Sequence, residues 1–260
     1  MSEMQIKYLR QIKRRKVIIT ILRFLVGFSF IGIWEFAAST GHINSFVFSS
    51  PSRIVKLFFE MSSDGSLFMH LGVTVYETLI SFFLVMAIGV IGAIILWIFK
   101  SLAEVLEPYL VMLGSLPKSA LAPVLIVWLG NNMKTIIVAA VSVAVFGTII
   151  TLHNYFKEID SDMTKLITTL GGSRKDIMTK VLLPASIPVI ISTMKVNIGL
   201  SLVGVIIGEF LAANEGLGYL IIYGSQVFML DMVIMSIFLL CILSMILYGV
   251  INILEKKFSR

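Results

Sequence analysis

The sequence predicts an all-α integral membrane protein with about six transmembrane helices. Of its 260 residues, 58% are hydrophobic and 14% are charged, whereas soluble domains carry roughly 25% charged residues. The mean hydropathy is +0.98, so a soluble fold of this length would lack the polar surface needed to cover its core. Apolar segments also recur at about 20 residues each, which is the length of helix that crosses a bilayer.

Six apolar segments are expected to cross the membrane: 17–38, 71–99, 106–129, 135–153, 187–212 and 232–254. The first follows a basic terminus, as a secretion signal would, but its apolar run is too long for a signal core. Pro117 and Pro123 interrupt the third segment. Proline is tolerated in a membrane helix where neighbouring helices or water satisfy the freed carbonyls, so we expect this segment to face protein rather than lipid.

The basic residues predict the orientation. Threading six spans from a cytoplasmic start places fifteen lysines and arginines on the cytoplasmic side and three, Arg53, Lys56 and Lys134, on the other. Membrane proteins keep their excess of Lys and Arg in cytoplasmic loops, so both termini are predicted to be cytoplasmic. Residues 1–16 then form a basic N-terminal segment and residues 17–260 a single transmembrane domain. The net charge of +6 follows this asymmetry and does not indicate nucleic-acid binding.

The largest cytoplasmic loop has a helical pattern. Four apolar side chains fall on one helical face: Met163, Leu166, Ile167 and Leu170. Gly171 and Gly172 predict a turn, Ser173 and Asp176 a capping box that opens a second helix, and Pro184 the end of that helix. The loop is therefore predicted to project from the membrane as a helix-turn-helix that could grip a cytoplasmic partner. The alternative is an ordinary interhelical loop that lies on its own membrane domain.

Four motifs follow one another along the chain. They are LPKSALAP at 116–123 with WLG at 128–130, GGSR at 171–174 with Leu-Pro at 183–184, PVI at 188–190 with Met-Lys at 194–195, and Glu209 followed by EGLGYLI at 215–221. In this order and spacing they resemble the permeases of binding-protein-dependent importers, and in particular the nitrate/sulfonate/taurine subgroup. The resemblance runs from about residue 70 to the C-terminus.

The resemblance implies the type I ABC importer (MetI-like) permease fold and the function of a transmembrane permease subunit. A small solute, such as a nitrate-, sulfonate- or taurine-like anion or a vitamin precursor, would be delivered by an extracytoplasmic binding protein and would cross a homodimer of two permease copies. A separate ATP-binding cassette subunit would bind and hydrolyse ATP with Mg, so this chain is expected to bind no cofactor and not to be an enzyme. The implied location is the cytoplasmic membrane of a bacterial cell, in contact with lipid.

By the same resemblance, residues 154–184 form the loop that couples the permease to the ATPase. The residues expected to act there are Lys165, Leu166, Ile167, Gly171, Gly172, Ser173, Leu183 and Pro184. In the family an acidic residue and two alanines precede the glycine, and here Lys165, Leu166 and Ile167 occupy those positions. The family's acidic contact with the ATPase is therefore in doubt, and we hypothesise that Lys165 pairs with an acidic residue of its partner instead.

A second set of residues is expected along the translocation path or at its gate: Pro117, Lys118, Pro123, Lys195 and Glu209. Ionisable residues inside a membrane are expensive and often functional. Two simpler roles are also open, because Glu209 could reach the headgroups or the outer loop and Lys195 could extend to the cytoplasmic face. Glu77 falls where the subgroup often has a basic residue.

Enzymes and metal proteins are disfavoured by the sequence. It contains no His-Glu-x-x-His, Gly-x-Ser-x-Gly or phosphate-binding Gly-x-x-x-x-Gly-Lys motif, and His42, His70 and His153 are too far apart to predict a shared metal site. Two other classes stay open as alternatives. A secondary transporter would show two similar halves with ionisable residues on broken helices at the midplane, and a membrane anchor would recruit a partner without transport.

Overall fold

The computed structural model describes residues 3–159 and 161–258, and all regular structure in that part of the chain is helical. The elements in order are α1 (Glu3–Ser39), α2 (Ser45–Phe48), α3 (Pro51–Ser63), α4 (Ser66–Ile98), α5 (Lys100–Ser115), α6 (Lys118–Leu129), α7 (Met133–Glu158), α8 (Ser161–Thr169), α9 (Arg174–Ile177), a π-helical turn (Met178–Leu182), α10 (Leu183–Ala212), α11 (Leu217–Gln226) and α12 (Leu230–Phe258). The predicted all-α class is confirmed.

Five helices in the described part of the chain are long and apolar enough to cross a membrane, and they match five of the six predicted segments. The third predicted segment instead consists of two shorter helices, α5 and α6. Between them the backbone is extended at Leu116 and Pro117, with ψ angles of 136° and 106°. Pro117 therefore interrupts the segment as predicted, whereas Pro123 lies inside α6 without ending it.

The central helix of the bundle is α7, which packs against both α4 and α10. Small residues permit this approach: a Cβ added to Gly204 of α10 would lie 2.6 Å from the Cα of Ala140. Farther along α7, the side chain of Thr148 lies against Gly89 of α4. Helices in lipid gain little hydrophobic energy from meeting one another, so close packing at small residues supplies much of their attraction.

The first helix lies at the edge of the bundle, with its apolar side chains exposed. It meets α3 through Glu35, whose carboxylate oxygens accept from the amide and the hydroxyl of Ser52 at 2.9 and 2.8 Å. Arg53 of α3 in turn pairs with Asp231 of α12 at 2.7 Å. Residues 3–16, predicted as a separate N-terminal segment, continue the same helix, and the side chains of residues 3–11 lie outside those that the structure describes.

The helix predicted to end at Pro184 does not end there. Instead α9, the π turn and α10 form one helical run of 39 residues, Arg174–Ala212. Proline has no backbone N–H to donate. Just before it, the helical hydrogen bonds join residues five positions apart instead of four: the amide of Leu183 donates to the carbonyl of Met178. The prediction is wrong because a π turn accommodates the proline, and residue spacing carries no signal for such a turn.

Candidate functional site

The short amphipathic helix α8 and the turn that follows it carry apolar side chains that no described part of the chain covers. Met163, Leu166 and Leu170 are 55%, 58% and 75% exposed. Ile167, predicted on the same face, is half-buried and lies against Gly172. Lys165 is exposed and pairs with Asp162 at 3.2 Å. Exposed apolar side chains grouped on one short helix are typical of a surface that binds another protein.

The turn after α8 depends on its two glycines. Gly171 has φ of +80°, a conformation that glycine adopts without steric cost. The amide of Gly172 donates to the carbonyl of Ile167 at 2.9 Å, and a Cβ on Gly172 would lie equally close to that oxygen. The backbone conformation therefore requires glycine at both predicted turn positions. This turn sets the orientation of α8 relative to α9.

The capping box predicted at the start of α9 is present. The amide and hydroxyl of Ser173 donate to Asp176 Oδ2 at 2.9 and 2.7 Å, and the amide of Asp176 donates back to Ser173 Oγ at 3.3 Å. Lys180, one turn later, pairs with Asp176 at 2.9 Å. Arg174 also donates to the carbonyl of Ile98 at the end of α4, at 3.2 Å, so this helix start is attached to the bundle.

Leu183 and Pro184, the last two residues predicted for the coupling loop, lie at the junction between the π turn and α10. The carbonyl of Leu182 accepts from the hydroxyl of Ser186 at 2.6 Å. The carbonyl of Ala185 accepts from the hydroxyl of Tyr155 on α7 at 3.1 Å. The bond from Tyr155 attaches the junction between the π turn and α10 to α7.

The residues predicted for the translocation path do not form one site. Pro117 and Lys118 lie at the break between α5 and α6, where the ammonium of Lys118 donates to the carbonyl of Leu113 and lies 5.2 Å from the centre of the Phe146 ring. This ammonium satisfies a carbonyl near the C-terminus of α5, as basic side chains commonly do. Pro123 lies farther along α6.

Lys195 and Glu209 lie fourteen positions apart on α10, which separates them by about 21 Å along the helix axis. Lys195 pairs with Glu255 of α12, and its ammonium lies 5.9 Å from the centre of the Tyr248 ring. This ion pair joins α10 to α12 near the end of the bundle that carries α8. The sequence did not identify Glu255 as the partner of Lys195.

Glu209 is buried, with 1% of its surface exposed, so it does not reach the headgroups. Its two carboxylate oxygens accept from different elements: Oε1 from the hydroxyl of Thr74 on α4 at 2.7 Å, and Oε2 from the amide of Gly218 at 2.5 Å. The amide of Leu217 donates to Thr74 Oγ1 at 2.8 Å, and the amide of Gly216 donates to Nδ1 of His70 at 3.0 Å.

Three consecutive amides at the start of α11 are therefore satisfied by buried side chains of α4 and α10. The first amides of a helix have no partners within it, and Gly216, at the N-cap position, has no side chain to supply one. The carboxylate also lies at the positive end of the α11 dipole, where negative charge is stabilised. We call Glu209, Thr74 and His70 the α11 anchor.

Two members of the α11 anchor, His70 and Thr74, were not among the predicted site residues. A signal for them exists in the sequence, because polar residues recur every three or four positions along the otherwise apolar α4: His70, Thr74, Glu77, Thr78 and Ser81. That spacing marks one helical face. All five side chains are buried, so the polar face of α4 points into the bundle and not to water.

Comparison with known proteins decides the family. Residues 85–260 match the family model described as "Binding-protein-dependent transport system inner membrane component". The chain belongs to this family. The match includes α8, the glycine turn, α10 and α11, so the resemblance seen in the sequence is confirmed. The chain is thus the permease component of an ABC importer and a transport subunit, not an enzyme. The family works with an ATPase and a binding protein.

Individual relatives agree with this assignment. The chain is 28% identical over 226 residues to an ABC transporter permease protein of Haemophilus influenzae, which covers 87% of this chain and 91% of the relative. It is 26% identical over 230 residues to an aliphatic sulfonates transport permease protein of Bacillus subtilis, covering 88% and 83%. The MetNI methionine ABC transporter, solved in inward-facing conformations, matches with a TM-score of 0.64 at 18% identity, over 74% of this chain and 95% of that one. The predicted MetI-like fold is confirmed.

Proposed function

We propose that two copies of this chain form the membrane pathway of an ATP-driven importer, and that residues 161–182 seat in a cytoplasmic ATPase subunit. The observation that carries the proposal is the exposed apolar face of α8, on a support that is hydrogen-bonded to α4 and α7. In this arrangement ATP and Mg bind to the ATPase and not to this chain, and both termini of the chain face the cytoplasm of a bacterial cell.

The structure of residues 161–182 suits the transmission of force. The glycine turn and the capping box hold α8 in one direction relative to α9, and α9 continues without interruption into α10. The helical run Arg174–Ala212 has 39 residues, which corresponds to about 58 Å at 1.5 Å per residue. A displacement of α8 by an ATPase would therefore reach Glu209 and the α11 anchor near the far end of the same run.

The break between α5 and α6 supports a second copy of the chain. Irregular backbone at membrane depth is tolerated only where protein or a water-filled cavity covers it. Leu116 and Pro117 are exposed in the single chain, and Val127 and Trp128 of the adjoining α6 are 82% and 76% exposed. A homodimer joined along α5 and α6 would cover this surface and would place Lys118 close to the pathway between the copies.

For the transported solute we propose a small molecule delivered by an extracytoplasmic binding protein. The relative from Bacillus subtilis is named for aliphatic sulfonates, so a sulfonate is the first candidate, with nitrate- or taurine-like anions and vitamin precursors as further candidates. Specificity in this arrangement resides mainly in the binding protein, which makes that protein the first component to screen.

The test is uptake into proteoliposomes that contain this chain with its ATPase and the binding protein, using an alkane sulfonate as the first solute. We expect uptake that requires ATP. Leu166→Glu should abolish uptake and co-purification of the ATPase, because it places a charge on the apolar face of α8. Thr168→Glu, on the opposite face of the same helix, is the control and should retain both. Uptake driven by an ion gradient without ATP would overturn the proposal.

A further inference from the structure

Two acidic side chains meet inside the bundle without a basic partner. Glu77 of α4 and Glu209 of α10 are each 1% exposed. Thr74 donates to Glu209 at 2.7 Å, and Glu77 lies one helical turn after Thr74 on the same buried face of α4, so the two carboxyl groups are neighbours. Among the residues that the structure describes, no ion pair includes either of them. Buried charges are normally paired with the opposite charge, so this pair needs another explanation.

Among the described residues, the groups identified around the pair supply no positive charge. His70 of α4 accepts an amide proton at Nδ1, so this nitrogen carries no proton of its own and the ring is neutral. Tyr219 of α11 stacks on that ring with centres 6.0 Å apart. Glu215, before α11, adds a further negative charge. From α7, the side that packs on α10 next to Glu209 presents Ile136.

Two adjacent carboxyl groups in such surroundings cannot both be ionised, because like charges at this separation repel strongly in a medium of low dielectric constant. An ionised carboxylate has no proton to donate. A hydrogen bond between Glu77 and Glu209 therefore requires that one of the two carries a proton.

The hydrogen bonds show which of the two is ionised. Both oxygens of Glu209 accept from donors, Thr74 Oγ1 and the amide of Gly218. Thr74 accepts from the amide of Leu217, and its own proton has two possible acceptors. Glu209 Oε1, at 2.7 Å, is the nearer one, and the carbonyl of His70 lies at 3.3 Å, so the proton is directed to Glu209. Glu77 has the opposite surroundings, because its Oε2 has no hydrogen-bond partner. A neutral acid tolerates a desolvated oxygen far better than a carboxylate does.

We propose that Glu77 is a proton-binding site, and that its proton holds Glu209 in place for the α11 anchor. With the proton present, Glu77 donates to the Glu209 carboxylate, which in turn accepts from Gly218. When the proton leaves, two carboxylates face one another, and Glu209 can no longer keep both its place beside Glu77 and its contact with α11. Rising pH should then release the start of α11 from the bundle. This site goes beyond the transport function proposed above.

The first test is infrared spectroscopy of the full chain in detergent, which detects the carbonyl band of a protonated carboxylic acid. The wild-type chain should show this band at neutral pH. Glu77→Gln should lack it, because the amide replaces the acid while keeping a hydrogen-bond donor for Glu209. The control is Glu215→Gln, which removes a nearby exposed carboxylate and should leave the band unchanged. A wild-type spectrum without the band, or a band that disappears only in Glu209→Gln, would overturn the assignment.

A second test needs no transport, and its first comparison uses only the wild-type chain. Hydrogen exchange should show the amides of Gly216, Leu217 and Gly218 protected in the wild-type chain at neutral pH, and this protection should fall at alkaline pH once intrinsic exchange rates are corrected for. The amides of α7 serve as the internal reference. In Glu77→Gln the protection should persist at both pH values. Protection in the wild type that does not change with pH would contradict the release of α11.

Discussion

The carboxylate of Glu209 accepts the amide of Gly218 at 2.5 Å, which binds the end of a long membrane helix to the start of the short helix that follows it. The intervening segment returns into the bundle, where Leu217 is fully buried. The same helical run, Arg174–Ala212, begins in residues 161–182, for which we propose the ATPase contact, so one helix connects that segment to the α11 anchor. The variants below test these two regions separately.

Gly218→Ala should destabilise the chain and reduce uptake. A Cβ at this position would lie 2.7 Å from Oε2 of Glu209 and 3.2 Å from the carbonyl of Ile206, and overpacking of this kind costs about 1–3 kcal/mol. The measurement is the thermal unfolding midpoint in detergent. Gly72→Ala, in α4 with open space around it, is the control and should not lower the midpoint. Equal midpoints for the two variants would contradict the contact.

Gly171→Val should uncouple ATP hydrolysis from transport. The position has φ of +80°, which a β-branched residue adopts only at a cost of about 1–3 kcal/mol, so the turn would rearrange and α8 would leave α9 in a different direction. We expect the ATPase to hydrolyse ATP with little uptake. Thr169→Val, at the end of α8, is the control. A Gly171→Val variant with full uptake per ATP would show that the turn does not direct the coupling helix.

Pro184→Ala should alter the register between α9 and α10. Alanine restores an amide that can donate to the carbonyl of Lys180, which would convert the π turn into regular α-helix and rotate α8 and α9 by about 100° relative to α10. Cross-links between α8 and the ATPase should shift, and uptake should fall while the fold survives. Pro188→Ala, farther along α10 and away from the π turn, is the control. Unchanged cross-links would mean that Pro184 is not what maintains the turn.

Lys165→Glu should weaken assembly with the cognate ATPase. Lys165 is exposed and its pair with Asp162 lies on the surface, so the substitution should change the free energy of unfolding by less than about 1 kcal/mol. A loss of co-purification would then report on the partner and not on folding. Lys56→Glu, which reverses a lysine in an exposed surface pair with Glu60 on α3, is the matched control outside residues 161–182 and should leave co-purification unchanged. Undiminished co-purification of Lys165→Glu would count against the hypothesis that Lys165 pairs with an acidic residue of the ATPase.

The sequence predicted most of the local structure of residues 161–182 because its signals are local. The periodicity of Met163, Leu166 and Leu170, the glycine pair and the capping box each depend on residues within one or two helical turns. The end predicted at Pro184 was wrong because the helix continues there through a π turn, in which the amide of Leu183 donates to the carbonyl of Met178. Residue spacing carries no signal for such a turn.

The sequence by itself determined that the chain is a helical membrane protein, because a helix that crosses the bilayer must be apolar and about 20 residues long. It also determined the family, because four motifs recur in order along the chain. Only the tertiary structure decided that Glu209 is buried, that it anchors α11, and that Glu77 faces it. In the sequence, a charged residue near the end of an apolar segment has the same pattern whether its side chain points to the headgroups or into the bundle. For Glu209 the direction is decided by its hydrogen-bond donors on α4 and at the start of α11, which lie far away along the chain.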